Sequence, residues 1–200
     1  MKDLKCSART LNTLLNIFFW ILVARGLFAA GYHILALYKI LTDPTALSGK
    51  MGLTIDWLTL DAANGFGITL DGAISMKLTQ LISAVVITVI ACRCVCTLKH
   101  ILLPIEVGQP FRSGISGEIR KLSRHCFYLG WTENLSMLVS VIVIKNHYAL
   151  QELLVTGPIT SVAIRPQFQP VWFIVTAVLA ILSMVFRRGE ELQTLSDETL

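Results

Sequence analysis

The sequence predicts an all-α membrane protein, a bundle of four transmembrane helices with a small extracytoplasmic β-hairpin between the first and second. Three observations predict it. Four long apolar stretches run over Leu14–Leu41, Leu78–Leu98, Cys126–Ile144 and Val171–Phe186. At about 1.5 Å of rise per helical residue each can cross a hydrocarbon layer of about 30 Å, the last only marginally. The composition is 54% hydrophobic and 15% charged, where soluble domains carry about 25% charged residues. Basic residues also crowd into every second connection, as the flanks of membrane helices do. In a bilayer only helices or closed barrels satisfy the backbone, and stretches of this length read as helices.

The 200 residues leave no room for a soluble domain beside four spans, so the chain is read as one membrane domain, 1–200. The net charge of +4 is explained by basic membrane flanks, and direct nucleic-acid binding is not expected from it. Lys2, Lys5 and Arg9 precede the first stretch as they would in a signal peptide. The apolar run nevertheless exceeds the usual 7–15 residues, Arg25 interrupts it, and no small-x-small site follows Phe28-Ala29-Ala30-Gly31. A retained helix is expected.

The basic residues alternate by side. The N-terminal tail carries Lys2, Lys5 and Arg9, the second connection Lys99, Arg112, Arg120, Lys121 and Arg124, and the C-terminal tail Arg187 and Arg188. The other side carries only Lys50, Lys77, Lys145 and Arg165, so ten basic residues stand against four. Both termini are therefore expected in the cytoplasm of a multi-pass membrane protein.

The first outer connection alternates apolar and polar residues over Leu53-Thr54-Ile55-Asp56-Trp57 and again over Phe66-Gly67-Ile68-Thr69-Leu70, with Asn64-Gly65 between them. That pattern predicts a hairpin turning at Asn64-Gly65. The second outer connection is broken by Pro158, Pro166 and Pro170, with a short interfacial helix expected near 150–155. Trp172 and Phe173 would then open the fourth span at the aromatic belt.

Inside the membrane Arg25 stands out, because a mid-span charge costs about 2.5–3.5 kcal/mol on insertion scales. Glu133, on the parallel third span, lies within roughly 7 Å of the same depth at 1.5 Å per residue. An Arg25–Glu133 pair is expected, with Asn134, Asn16 and Thr132 as further hydrogen-bonding partners. It would either hold the helices in register or line an ion or ligand site. Arg93, near the inner end of the second span, can snorkel.

Cys92, Cys94 and Cys96 alternate along a helix, with Cys126, His125 and His100 at a similar level. Structural zinc favours loop spacings instead, so no metal is expected. All five cysteines fall toward the reducing side, so they are read as small apolar residues without disulfides. No nucleophile–base set, phosphate loop or paired carboxylate appears. An enzyme and a bound cofactor are therefore not expected.

The inner connection places Ile115, Ile119, Leu122 and Cys126 on one helical face after a cap at Ser113 or Ser116, with Arg112, Arg120, Lys121 and Arg124 largely elsewhere. A basic amphipathic segment, 113–125, is expected to run along the inner surface and turn into the third span. It can bind anionic lipid or dock a cytosolic protein. The tail, 187–200, offers Glu190 and Glu191 to that basic connection or to a basic partner.

Gly108-Gln109-Pro110-Phe111, followed by Glu118-Ile119-Arg120-Lys121-Leu122, resembles the "PF…LR" turn of the bacterial family called domain of unknown function 2975. Phe186-Arg187-Arg188-Gly189-Glu190-Glu191-Leu192-Gln193, continuing to Asp197-Glu198-Thr199-Leu200, is similar to that family's closing "F-x-x-G-x-x-L-Q…D-x-T" signature. Ser113-Gly114-Ile115-Ser116 stands where the family has an asparagine after the turn. The resemblance covers about the last 125 of the 200 residues. It implies a four-helix inner-membrane protein that partners a small helix-turn-helix transcriptional regulator. The leading expectation is thus a membrane partner or sensor for such a regulator. The alternative is a small transporter or an immunity-type protein against a membrane-active peptide, with Arg25 and Glu133 lining its interior.

Overall fold

The computed structural model describes residues 2–43, 52–55, 58–61, 70–107, 114–147 and 168–198. Four long helices dominate: α1 (Lys2–Thr42), α2 (Leu70–Val107), α3 (Ile115–His147) and α4 (Val171–Glu198). All four are long and apolar enough to cross a membrane, over Arg9–Thr42, Leu70–Val107, Ile115–Asn146 and Val171–Leu195. Their lipid-like exterior agrees: Phe28 is 80% exposed, and Leu14, Trp20, Leu27 and Leu135 are also open. Apolar exposure on this scale fits a multi-pass protein in a bilayer.

The first three helices overrun their apolar stretches at both ends, and α4 overruns its own at the C-terminal end. At 1.5 Å per residue, the 41 residues of α1 measure about 60 Å, twice the hydrocarbon thickness. Charged residues continue these helices, since lysine, arginine and glutamate are good helix formers outside the membrane. Pro104 lies inside α2, which runs on to Val107. So close to the helix end, proline forfeits one of the last backbone bonds and leaves the rest of the ladder intact.

Two surface segments expected as separate pieces are instead continuous with spans. The amphipathic stretch 113–125 does not turn at its junction with the third span, because α3 is unbroken from Ile115 to His147. The tail from Arg187 likewise prolongs α4 through Glu198. Gly114, at φ +102°, adopts the left-handed backbone that favours glycine just before α3 begins.

The expected extracytoplasmic hairpin, with strands at 53–57 and 66–70, is not supported. Leu70 already opens α2, with Asp71 in the first turn, where a carboxylate suits the helix dipole. A shorter pairing occurs instead between β1 (Gly52–Ile55) and β2 (Leu58–Asp61), antiparallel, with Leu53 opposite Leu60 and Thr54 opposite Thr59. Residues 62–69, which include Asn64-Gly65, and the interfacial helix expected at 150–155 lie outside the described residues.

The chain divides into two compact units, one comprising 1–27, 85–133 and 169–200, the other 28–84 and 134–168. In the first unit the buried apolar side chains of α3 are Ile115, Ile119, Leu122, Cys126 and Leu129. Their alternating steps of four and three are the seam of a left-handed helix pair. α4 runs antiparallel to that seam: Ser123 meets Thr176, and Ser116 meets Ser183. In the second unit Ala73 and Ile144 are the most buried apolar residues.

Two glycines of the first unit sit at close helix approaches. A Cβ added at Gly130 would stand 2.8 Å from Trp172 Cβ, and one at Gly26 would strike the side chain of Thr88. Gly31, in the second unit, has open space. Gly130→Ala should therefore destabilise the protein by about 1–3 kcal/mol, because a packed interface must separate to admit the methyl. Gly31→Ala should be neutral or gain up to about 1 kcal/mol from helix propensity. Thermal unfolding of both variants in detergent checks the contrast; equal effects would contradict the packing described.

Candidate functional site

The polar groups of the first unit form a ladder along its helices. On α3, Ser116, Ser123 and Gly130 recur every seven residues, and on α4 Thr176, Ser183 and Glu190 do the same. Ser123 Oγ donates to the Thr176 carbonyl at 3.0 Å, and Ser183 Oγ donates to the Ser116 carbonyl at 2.9 Å. Small residues at one helix repeat let the backbones approach until hydroxyls reach the facing carbonyls.

Glu190 closes this seam. The Ser116 backbone N–H donates to Glu190 Oε1 at 2.7 Å, and Ser116 Oγ donates to Oε2 at 2.9 Å. The carboxylate thus caps an unpaired N–H in the first turn of α3, where the helix dipole also favours negative charge. The Ser116 hydroxyl, one of the two caps expected from the sequence, donates to Glu190, and the other candidate, Ser113, lies outside the described residues.

At the other end of the same contact, Trp172 Nε1–H donates to Glu133 Oε2 at 2.8 Å. Phe173 meets Phe127 and Trp131 edge-on, with ring centroids 5.8 and 6.5 Å apart. Trp172 and Phe173, assigned from sequence to an aromatic belt, therefore face α3. Each such ring pair contributes about 0.5–1.5 kcal/mol beyond its buried area.

Among the described residues no ion pair or hydrogen bond joins Arg25 to Glu133, the pair expected from the sequence. Arg25 is exposed on α1. Matching two residues by depth says nothing about which way each side chain points around its helix axis. The further partners are also engaged elsewhere. Asn16 Oδ1 accepts from Lys99 Nζ at 2.8 Å, and Thr132 Oγ1 donates to the Tyr128 carbonyl within its own helix. Asn134 is half-buried and has a partner. Lys99 also lies over the Phe19 ring, 5.7 Å from its centroid, and Arg9 pairs with Glu106 at 3.2 Å. Together these contacts join α1 to α2.

The charged residues assigned to partner or lipid contact separate into two sets. Arg120 and Arg124 are exposed, and Lys121 pairs with Glu118 at 2.6 Å on the same helix while keeping 53% of its side chain open. Glu190 is bound to Ser116, and Glu191 accepts from Arg187 within α4 at 3.2 Å. Arg112 lies outside the described residues.

No described group of three or more His, Cys, Asp or Glu residues is arranged to hold a metal ion. In the second unit Lys77 Nζ donates to Gln80 Oε1 at 3.3 Å and lies 5.6 Å from the Tyr32 ring centre, while the buried Nδ1 of His33 finds no hydrogen-bond partner. The residues missed by sequence reading are Ser123, Thr176, Ser183 and Ser116 as a seam. Their seven-residue recurrence on both helices was the available signal.

No family model matches the chain, no curated protein matches it, and no solved structure matches it.

Two outcomes follow from these contacts. Glu190→Gln should cost about 1–2 kcal/mol, since it replaces charge-assisted bonds with neutral ones. Combined with Ser116→Ala, its effect should be clearly less than additive in thermal unfolding. Arg25→Leu and Glu133→Leu should instead add to within about 0.5 kcal/mol, as separated sites do. A larger coupling would restore the pair.

Proposed function

We propose that this chain is a non-enzymatic membrane protein that engages a cytosolic, DNA-binding regulator through the first turns of α3. The carrying observation is the contrast between the two faces of those turns. Ile115, Ile119 and Leu122 are buried, while Arg120, Lys121 and Arg124 on the other side remain open. Further along α3 the exposed residues become Phe127, Tyr128 and Trp131. Basic groups followed by aromatics is the order met on passing from water through headgroups into hydrocarbon. This supports a cytoplasmic position for the basic turns, and with it cytoplasmic termini.

The resemblance to the domain of unknown function 2975 family, through its Pro110-Phe111 and Gly189-Glu190-Glu191-Leu192-Gln193 motifs, supports a regulator of the helix-turn-helix type. Glu190 and Glu191 are occupied within the chain, so the contact is assigned to the basic face of α3 and not to the acidic tail. The transport alternative required Arg25 and Glu133 to share one interior; the exposed Arg25 and the Trp172-bound Glu133 give it no support.

The test is affinity capture from solubilised membranes with the full chain, comparing wild type with Arg120→Glu/Lys121→Glu/Arg124→Glu. A helix-turn-helix protein recovered with wild type should fall at least about tenfold with the variant, equivalent to about 1.4 kcal/mol. Equal recovery, or no DNA-binding protein with either, counts against the proposal.

A further inference from the structure

Arg25 lies near the middle of the α1 span, which runs over Arg9–Thr42. From the middle of a hydrocarbon layer about 30 Å thick, either surface is about 15 Å away. Stretching toward the headgroups relieves only part of the cost of a charge at that depth. Arginines inside membranes accordingly face a partner or water. Among the described residues Arg25 makes no ion pair and no hydrogen bond; the ion pairs there belong to Arg9, Lys121 and Arg187.

Two contacts fix which way Arg25 points. Gly26 lies against Thr88 of α2, and the Phe19 ring lies under Lys99 of the same helix. Phe19 and Gly26 are therefore on the side of α1 that meets α2. Phe18 and Arg25 each precede one of them, which turns them about 100° around the helix axis at 3.6 residues per turn. On that turned face Leu11, Leu14, Phe18, Ile21 and Arg25 follow in steps of three and four, and all five are exposed. The same spacing on α3 is buried. Lipid tails can cover the apolar members of the α1 face, but nothing in hydrocarbon accepts hydrogen bonds from a guanidinium.

We propose that this face of α1 docks a membrane-spanning helix of another protein, one that carries an aspartate or glutamate near mid-depth. Its carboxylate accepts from the Arg25 guanidinium, whose planar fork matches two carboxylate oxygens, while Leu14, Phe18 and Ile21 pack beside it. Both charges are already out of water in the separate helices, so pairing recovers part of what inserting each one cost. A second copy of this chain does not supply that carboxylate. A two-fold contact through this face sets Arg25 against itself, like charge on like. Glu133 is the one acidic residue within the four apolar stretches, and it already accepts from Trp172. The docking is separate from the basic turns of α3 and uses none of their residues.

The experiment places the full chain in phosphatidylcholine vesicles with synthetic leucine–alanine helices of about 20 residues. Each peptide carries a dansyl group and a central glutamate, glutamine or leucine. Energy transfer from the chain's tryptophans, the exposed Trp20 of α1 among them, reads association. The glutamate peptide should associate about tenfold more strongly than the leucine peptide, with the glutamine peptide between them. Arg25→Leu should remove the glutamate advantage, Arg25→Gln should do the same, and Arg25→Lys should keep most of it. Three peptides that associate alike, a glutamate advantage that survives Arg25→Leu, or self-association of the wild type that Arg25→Leu abolishes would overturn the proposal. If Arg25→Leu fails to accumulate, Arg25→Gln decides.

Discussion

Two helices in hydrocarbon gain little by burying leucine, since lipid tails are as apolar as the side chains they would replace. Whatever joins α3 to α4 must therefore offer something lipid cannot. Within their shared unit it is close backbone approach, at Gly130 beside Trp172 and along the Ser116, Ser123, Thr176 and Ser183 seam. Each hydroxyl turned toward a facing carbonyl replaces a bond that would otherwise stay within its own helix. Such interhelical bonds average only about 0.6 kcal/mol. Set at seven-residue intervals on both partners, they select one register from many, because a shift of one turn would break all of them together.

That register determines the surroundings of the ionisable groups. With α4 placed by its seam, Glu190 reaches the unpaired amide at the start of α3, and Trp172 reaches Glu133. Both carboxylates gain donors from a neighbouring helix without an arginine. The arginines take the opposite course: Arg25 and Arg93 are exposed on their helices, where a long side chain can carry its charge toward the headgroups. Carboxylates have short side chains and need a donor brought to them, while arginine can travel to its own.

The same packing gives α3 two faces with different roles. Its apolar stripe is consumed by helix contact, and its basic residues are left open beside an aromatic rim. Intramolecular use of Glu190 and Glu191 removes the acidic tail from competition for that basic face. Structure and proposed contact are thus two sides of one element.

Much of this was legible in the residues themselves. Unbroken apolar length at 1.5 Å per residue specified four helices able to cross a bilayer, and the four-and-three spacing from Ile115 to Cys126 identified the buried face of α3. Both properties are local, set by period and transfer energy. What lies across a helix face is not local. The sequence matched Arg25 and Glu133 by depth, but rotation about two helix axes decided that Trp172 would meet the carboxylate. It also read 113–125 and 187–200 as surface appendages, because charge was taken to end a span. Helix propensity does not stop at the membrane boundary, so both segments continue as helix, and only the antiparallel docking of α4 on α3 decided that Glu190 would cap Ser116 and that the stripe would be an interior.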